Sequence, residues 1–205
     1  LNHYFERGFA YIEIGDGDEL VENQDLTDIK RAHASVFREI RRFHEAGRFL
    51  PIYGNHDILW MRPENVRKHL TTLYNEATES DEPLFEGIRP QEGLVLNHRG
   101  NGMKILVVHG HQGDFINETL WWMSGLVIRR LWRPLQLVGV TDPTRPSKDK
   151  RRIGLIESRI IRWIQDHKTP VICGHTHRAM FPRRDDVPYF NTGCCVFPRR
   201  ITGME

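Results

Sequence analysis

Four short motifs constrain this chain more than any other feature, because each places Asp, Asn or His beside a glycine directly after a predicted β-strand. In chain order they are Gly15-Asp16, Gly54-Asn55-His56-Asp57, His109-Gly110-His111 and Gly174-His175-Thr176-His177. Side chains at strand ends can converge at the carboxyl edge of a sheet, and glycine lets the backbone turn sharply beside a bound group. A metal site explains all four motifs together.

Each motif has an ordinary structural explanation when it stands alone. A lone Gly-Asp is usually a turn, and a lone His-Gly-His is more often a loop with a hydrogen-bonded histidine than a ligand pair. The motif at residues 174–177 is more specific, because alternate residues of an extended segment point to opposite sides and can aim two imidazoles at two metals. All four motifs occur in order, each after a predicted strand. The chance that the whole set has only structural explanations is roughly one in twenty or lower.

The apolar pattern alternates between strand and helix periods, which predicts an α/β fold. The chain length of 205 residues fits one domain. The Asn101-Gly102 pair predicts a tight hairpin between the two strands that flank it. Strands are predicted at residues 9–14, 49–53, 94–96, 103–108 and 170–173, with one or two more in 189–197. Helices are predicted at residues 29–43, about 115–132 and 153–163.

Composition restricts the class of protein less than the four motifs do. The formal net charge is +2 and 27% of residues are charged, so nucleic acid or an anionic membrane is not required as a partner. No basic and apolar leader opens the chain, and no apolar run approaches the roughly 18 residues that span a bilayer. Cys173, Cys194 and Cys195 are an odd count without disulfide-framework spacing, which favours a reducing compartment. Together these features predict a cytoplasmic protein.

With these four motifs the sequence resembles the calcineurin-like metallophosphoesterases, whose motifs run Asp-x-His, Gly-Asp, Gly-Asn-His-Asp/Glu, a later His-Gly, and Gly-His-x-His. The resemblance implies one domain over residues 1–205, a four-layer αββα sandwich of two mixed β-sheets flanked by helices. A helical cap is expected as an insertion at about residues 115–137. The family's opening Asp-x-His is absent, so we expect the sequence shown to begin downstream of the true start.

The resemblance also implies two divalent transition-metal ions about 3.5 to 4 Å apart. By matching motif positions, Asp16 should bridge the metals, His177 should bind the first, and Asn55, His109 and His175 should bind the second. We expect Mn, with Fe, Zn or Co left open by this ligand set. The implied reaction is hydrolysis of a phosphoester or pyrophosphate bond, in which a water shared by the metals is activated to hydroxide and attacks phosphorus in line.

His56 should face the substrate, where it can stabilise developing charge or protonate the leaving oxygen. Asp57 could orient His56, and both are predicted to be catalytic. Substrate contacts are predicted for His111, Arg178, Trp122 and Arg129.

The predicted helix that follows the His109 motif is apolar on nearly every side, so it needs burial on more than one face. It can be a core helix, a homodimer contact, a peripheral contact with the inner face of a membrane, or a cap over the site. An apolar, Arg-containing insertion at this place is similar to the lid of the UDP-diacylglucosamine diphosphatases of lipid A synthesis. A lipid-linked phosphoester is therefore one predicted substrate class, beside small-molecule phosphoesters.

Two other functions remain open. A nuclease or cyclic-nucleotide phosphodiesterase would be favoured if the basic residues at 145–152 formed a stripe leading to the site. A catalytically silent scaffold is disfavoured, because such a protein is free to lose His56 and the metal ligands.

Overall fold

The computed structural model of this chain describes residues 1–18, 20, 25–114, 150–196 and 200–205. Within that part the chain forms two compact units, Leu1–Leu94 and Val95–Glu205, each of which contains helices and strands. The predicted α/β class is therefore confirmed. The four-layer arrangement and the single domain stay predictions. The expected cap, with Trp122 and Arg129, lies outside the described residues.

The first unit is built around two parallel strands. Strand β1 (Tyr11–Ile14) pairs with β2 (Phe49–Ile52) in parallel, with Tyr11 opposite Phe49. The chain enters through helix α1 (Asn2–Glu6), and helices α2 (Leu26–Ala32) and α3 (Ala34–Glu45) connect the strands. The single helix predicted at residues 29–43 is thus two helices, because His33 leaves helical geometry at φ −120 and ψ 26.

The chain between β2 and the second unit contains elements that the apolar pattern did not predict. A 3-10 turn (Ile58–Met61) leads into helix α4 (Pro63–His69), followed by an antiparallel hairpin of β3 (Thr72–Asn75) and β4 (Ser80–Pro83). Strand β4 is polar and mostly exposed, so it lacks the alternation that marks a half-buried strand. These elements contribute to one buried cluster: Leu26, Phe37, Ile40, Tyr53, Trp60, Val66, Leu70, Leu73, Leu84, Phe85 and Ile88.

The second unit contains a mixed sheet in the order β5 (Gly93–Asn97), β6 (Lys104–Val108), β7 (Val171–Cys173) and β8 (Tyr189–Asn191). Neighbouring strands joined by a connection as short as that between β5 and β6 must be antiparallel. In this turn the His98 N–H donates to the Met103 carbonyl at 2.8 Å, and Gly102 has φ +70. The predicted hairpin is confirmed. Strands β6, β7 and β8 pair in parallel.

Helix α5 (Lys150–His167) packs onto this sheet through one apolar face. Ile156, Ile160 and Ile164 recur every four residues and are buried with Val171 and Tyr189. At 18 residues it is the longest helix described, and no helix in the described ranges is long and apolar enough to cross a membrane.

Candidate metal centre

In the first unit, two of the sequence motifs meet at the ends of the parallel strands β1 and β2. Asp16 has a left-handed backbone at φ +55, and its Oδ1 accepts a hydrogen bond from the His56 N–H at 2.8 Å. Gly54 packs so closely here that a Cβ would collide with the Asp16 carboxylate. The Gly-Asp and Gly-Asn-His-Asp motifs are therefore interlocked, and the Asp16 carboxylate is held in one orientation.

Asp57 connects the same two loops through backbone amides. Its side chain is buried, Oδ1 accepts from the Gly54 N–H at 2.6 Å, and Oδ2 accepts from the Gly17 N–H at 3.0 Å. Both carboxylate oxygens thus stabilise the backbone around Asp16. This role was missed from the sequence, and the orientation of His56 by Asp57 stays a prediction.

Asn55 carries a polar atom that a cation would satisfy. Its Oδ1 is buried and has no hydrogen-bond partner among the residues that the structure describes. A buried acceptor left without a donor costs about 1–3 kcal/mol. A divalent metal coordinated by this oxygen would remove that cost, so Asn55 fits the ligand role predicted for it.

Half-buried carboxyl groups near Asp16 also favour a cation. Burial, and after it the charges of Asp18 and Asp57, raises the pKa of Glu13 to about 8. Burial likewise raises the pKa of Asp18 to about 6, although a hydrogen bond at 2.9 Å from the Trp60 indole N–H favours its charged form. A positive ion nearby would reduce the repulsion between these carboxylates and offset the cost of burying their charges.

In the second unit, three buried histidines form a cluster. The ring centroids of His109 and His175 are 5.0 Å apart, those of His109 and His111 are 5.4 Å apart, and those of His111 and His175 are 6.4 Å apart. The Nε2 of His109 lies 3.2 Å from the Nδ1 of His175. Neutral imidazole nitrogens are common ligands of transition metals, so His109 and His175 are a candidate metal-binding group. His111, predicted to contact substrate, lies in the same cluster.

The loop that carries His175 and His177 differs from the extended segment assumed for it. Both residues have a left-handed backbone, with φ +64 and φ +57. The two imidazoles are therefore directed by a turn and not by strand alternation, which corrects the sequence-based reasoning. Side chains with a Cβ rarely adopt this conformation, which costs of order 1–3 kcal/mol and clusters at functional sites. Asp16 shares it, so three of the five predicted ligands are strained.

Arg178 follows this loop and is held by a buried glutamate. Its Nη2 lies 3.3 Å from Oε2 of Glu157 on α5, and the Arg178 side chain is 55% exposed. Burial raises the pKa of Glu157, whereas the Arg178 charge and a hydrogen bond from the Thr176 hydroxyl lower it. Glu157 was missed from the sequence. Its position on the apolar face of α5, four residues after buried Ile153, was the available signal.

A family model described as calcineurin-like phosphoesterase matches residues 5–179, a range that contains all four motifs and extends over both units. No curated protein matches the chain. Members of this family typically depend on two metal ions, and the family implies metal-dependent phosphoester hydrolysis. Because the match covers well over half of its length, this chain belongs to the calcineurin-like phosphoesterase family.

Proposed function

We propose that this protein is a metal-dependent hydrolase of phosphoester or pyrophosphate bonds that works with two divalent ions. The observation that carries the proposal is the buried pair of ring nitrogens of His109 and His175, 3.2 Å apart within the family match. The unpartnered Oδ1 of Asn55 among the described residues supports it independently.

The proposed ligand set follows the family motifs. Asp16 would bridge the ions, His177 would bind the first, and Asn55, His109 and His175 would bind the second. When bound, the ions would neutralise phosphoryl oxygens and lower the pKa of a water between them. The hydrogen bond from the His56 N–H keeps the Asp16 carboxylate oriented for this task, as partners of metal ligands commonly do.

Two side chains are proposed to act on the substrate itself. The half-buried imidazole of His56 would donate a proton to the leaving oxygen. The exposed guanidinium of Arg178 would contact phosphoryl oxygens with its charged N–H groups, and His111 would contact the substrate near the ligands.

The finer substrate class is proposed from the composition of residues 115–137. An apolar segment with Trp122 and Arg129 would suit a lipid-linked phosphoester, with the protein cytoplasmic and peripheral to a membrane or dimeric through that segment. Small-molecule phosphoesters remain in the proposal as the broader class.

Elemental analysis combined with a substrate panel tests the proposal. Protein prepared without chelator should contain two transition-metal ions per chain, or take up Mn to that level. His109→Ala should lower the metal content, whereas His98→Ala, an exposed histidine of the β5–β6 turn, should not. Trace metal with no uptake by the wild-type protein would refute the proposal.

The panel should contain an aryl phosphomonoester, a phosphodiester, a nucleotide-sugar pyrophosphate and single-stranded DNA, each with Mn. Turnover of any of the first three, lost in His109→Ala and retained in His98→Ala, is the expected result. Turnover confined to DNA would indicate a nuclease. Metal binding without turnover of any substrate would favour a silent scaffold.

A further inference from the structure

Asn191, the last residue of β8, is fully buried and bonded to the histidine loop. Its Nδ2 donates to the Gly174 carbonyl at 2.7 Å and approaches the Thr176 Oγ1 at 3.1 Å. Its Oδ1 accepts from the Gly193 N–H at 2.9 Å. The amide therefore connects the turn after β8 to the loop that begins at Gly174. A carboxylate could not replace it, because the Gly174 carbonyl needs a donor.

Thr176 extends this connection to helix α5. Its side chain is buried, its Oγ1 accepts from the Asn191 amide, and its hydroxyl acts to lower the pKa of the Glu157 carboxyl on that helix. Thr176 stands between His175 and His177, both of which have left-handed backbones. The residue between the two strained positions is thus bonded to the sheet through Asn191 and interacts with Glu157 of helix α5.

We propose that Thr176 and Asn191 are positioning residues that hold His175 and His177 in their left-handed conformations and so direct both imidazoles to the metals. This inference rests on the proposed function, because it takes the two histidines as metal ligands. A left-handed backbone persists only where surrounding contacts determine it. Without the hydroxyl and amide contacts, the loop would relax toward more favourable φ values, and the His175 Nδ1 would no longer lie beside the His109 Nε2.

The matched variants Thr176→Val and Thr176→Ser test this proposal. Val keeps the branched shape of Thr but removes the hydroxyl, whereas Ser keeps the hydroxyl and removes a methyl group. Asn191→Asp is a companion variant, but a buried carboxylate facing the Gly174 carbonyl can unfold the protein. The threonine pair, checked for cooperative thermal unfolding in chelator, keeps the test interpretable.

Calorimetric titration with Mn gives the first readout. Loss of a group that orients a metal ligand typically weakens metal binding by about tenfold to a hundredfold, so we expect this increase in the Mn dissociation constant for Thr176→Val. Thr176→Ser should restore binding to near the wild-type value. Equal Mn binding by Thr176→Val and the wild-type protein would overturn the proposal, as would an equal loss in the Val and Ser variants.

A second readout needs no metal. In metal-free protein labelled with ¹³C in the histidine rings, Thr176→Val should shift or broaden the signals of His175 and His177 while leaving that of His98 unchanged. Thr176→Ser should retain the wild-type signals. If the wild-type protein bound no Mn, the proposed function would fail, and these ring signals would still decide the positioning role. Unchanged signals for both loop histidines would refute it.

Discussion

Asp57→Asn removes one charged acceptor from the contact that ties the loops after β1 and β2 together. The side chain keeps its shape, but one oxygen becomes an NH₂ group. The shorter bond, from the Gly54 N–H at 2.6 Å, should retain the remaining oxygen. The new NH₂ group would then face the Gly17 N–H, which now donates to Asp57 Oδ2 at 3.0 Å.

The size of the effect follows from these two bonds. Losing a hydrogen bond to a charged group costs about 1.5–3 kcal/mol. The two donors left facing each other add about 1 kcal/mol more, the low end of the range for an unsatisfied group, because this contact is only partly buried. We therefore expect Asp57→Asn to lower the free energy of unfolding by about 2.5–4 kcal/mol, a large part of the roughly 5–15 kcal/mol typical of a native protein.

Urea unfolding at neutral pH in the presence of chelator measures this change without a contribution from metals. Asp28→Asn is the matched control, because it removes the same charge from an exposed residue of α2. The control should change the free energy of unfolding by less than about 1 kcal/mol, the scale of a carboxylate near a helix N-terminus.

The contrary result is equally specific. If Asp57→Asn had the same urea midpoint as the wild-type protein and lost only turnover, the two hydrogen bonds that Asp57 accepts from Gly54 and Gly17 would contribute little to stability. The predicted catalytic role of Asp57, acting on His56, would then be favoured.

Three further predictions concern the first unit. Gly54→Ala should reduce both stability and Mn affinity, because the new Cβ would collide with the Asp16 carboxylate. Gly154→Ala, at an open surface position in α5, should reduce neither. Urea unfolding measures the stability of both variants, and calorimetry measures their Mn affinity. Glu13 has its pKa raised to about 8, so in metal-free protein stability should fall as pH rises from about 4.5 to about 8, where only the folded state keeps the proton. Glu13→Gln should flatten that dependence in thermal unfolding, and an unchanged slope would contradict it. His56→Ala should leave metal content intact and lower turnover by roughly a hundredfold or more, and full activity on a substrate with a poor leaving group would exclude its proposed role.

The sequence by itself determined the α/β class, the main strands around the motifs and the residue types of the candidate metal centre. These features are local, because periodicity, the Asn-Gly turn at residues 101–102 and glycines after strands depend on nearest neighbours. The same reasoning placed Asp16, His109 and His175 directly after strands, where the structure has them. It found nothing for the polar strand β4, whose pairing with β3 depends on register and not on its own apolar pattern.

Only the tertiary structure decided how the site side chains are held. Asn191 and Glu157 lie far along the chain from most of the predicted ligands and match none of the four motifs, yet they surround Thr176. The left-handed conformations of His175 and His177 also have only a weak signal in residue type, because histidine adopts them more often than most side chains but still disfavours them. Such conformations persist only when contacts from other strands and helices determine them, and those contacts exist only after the chain has folded.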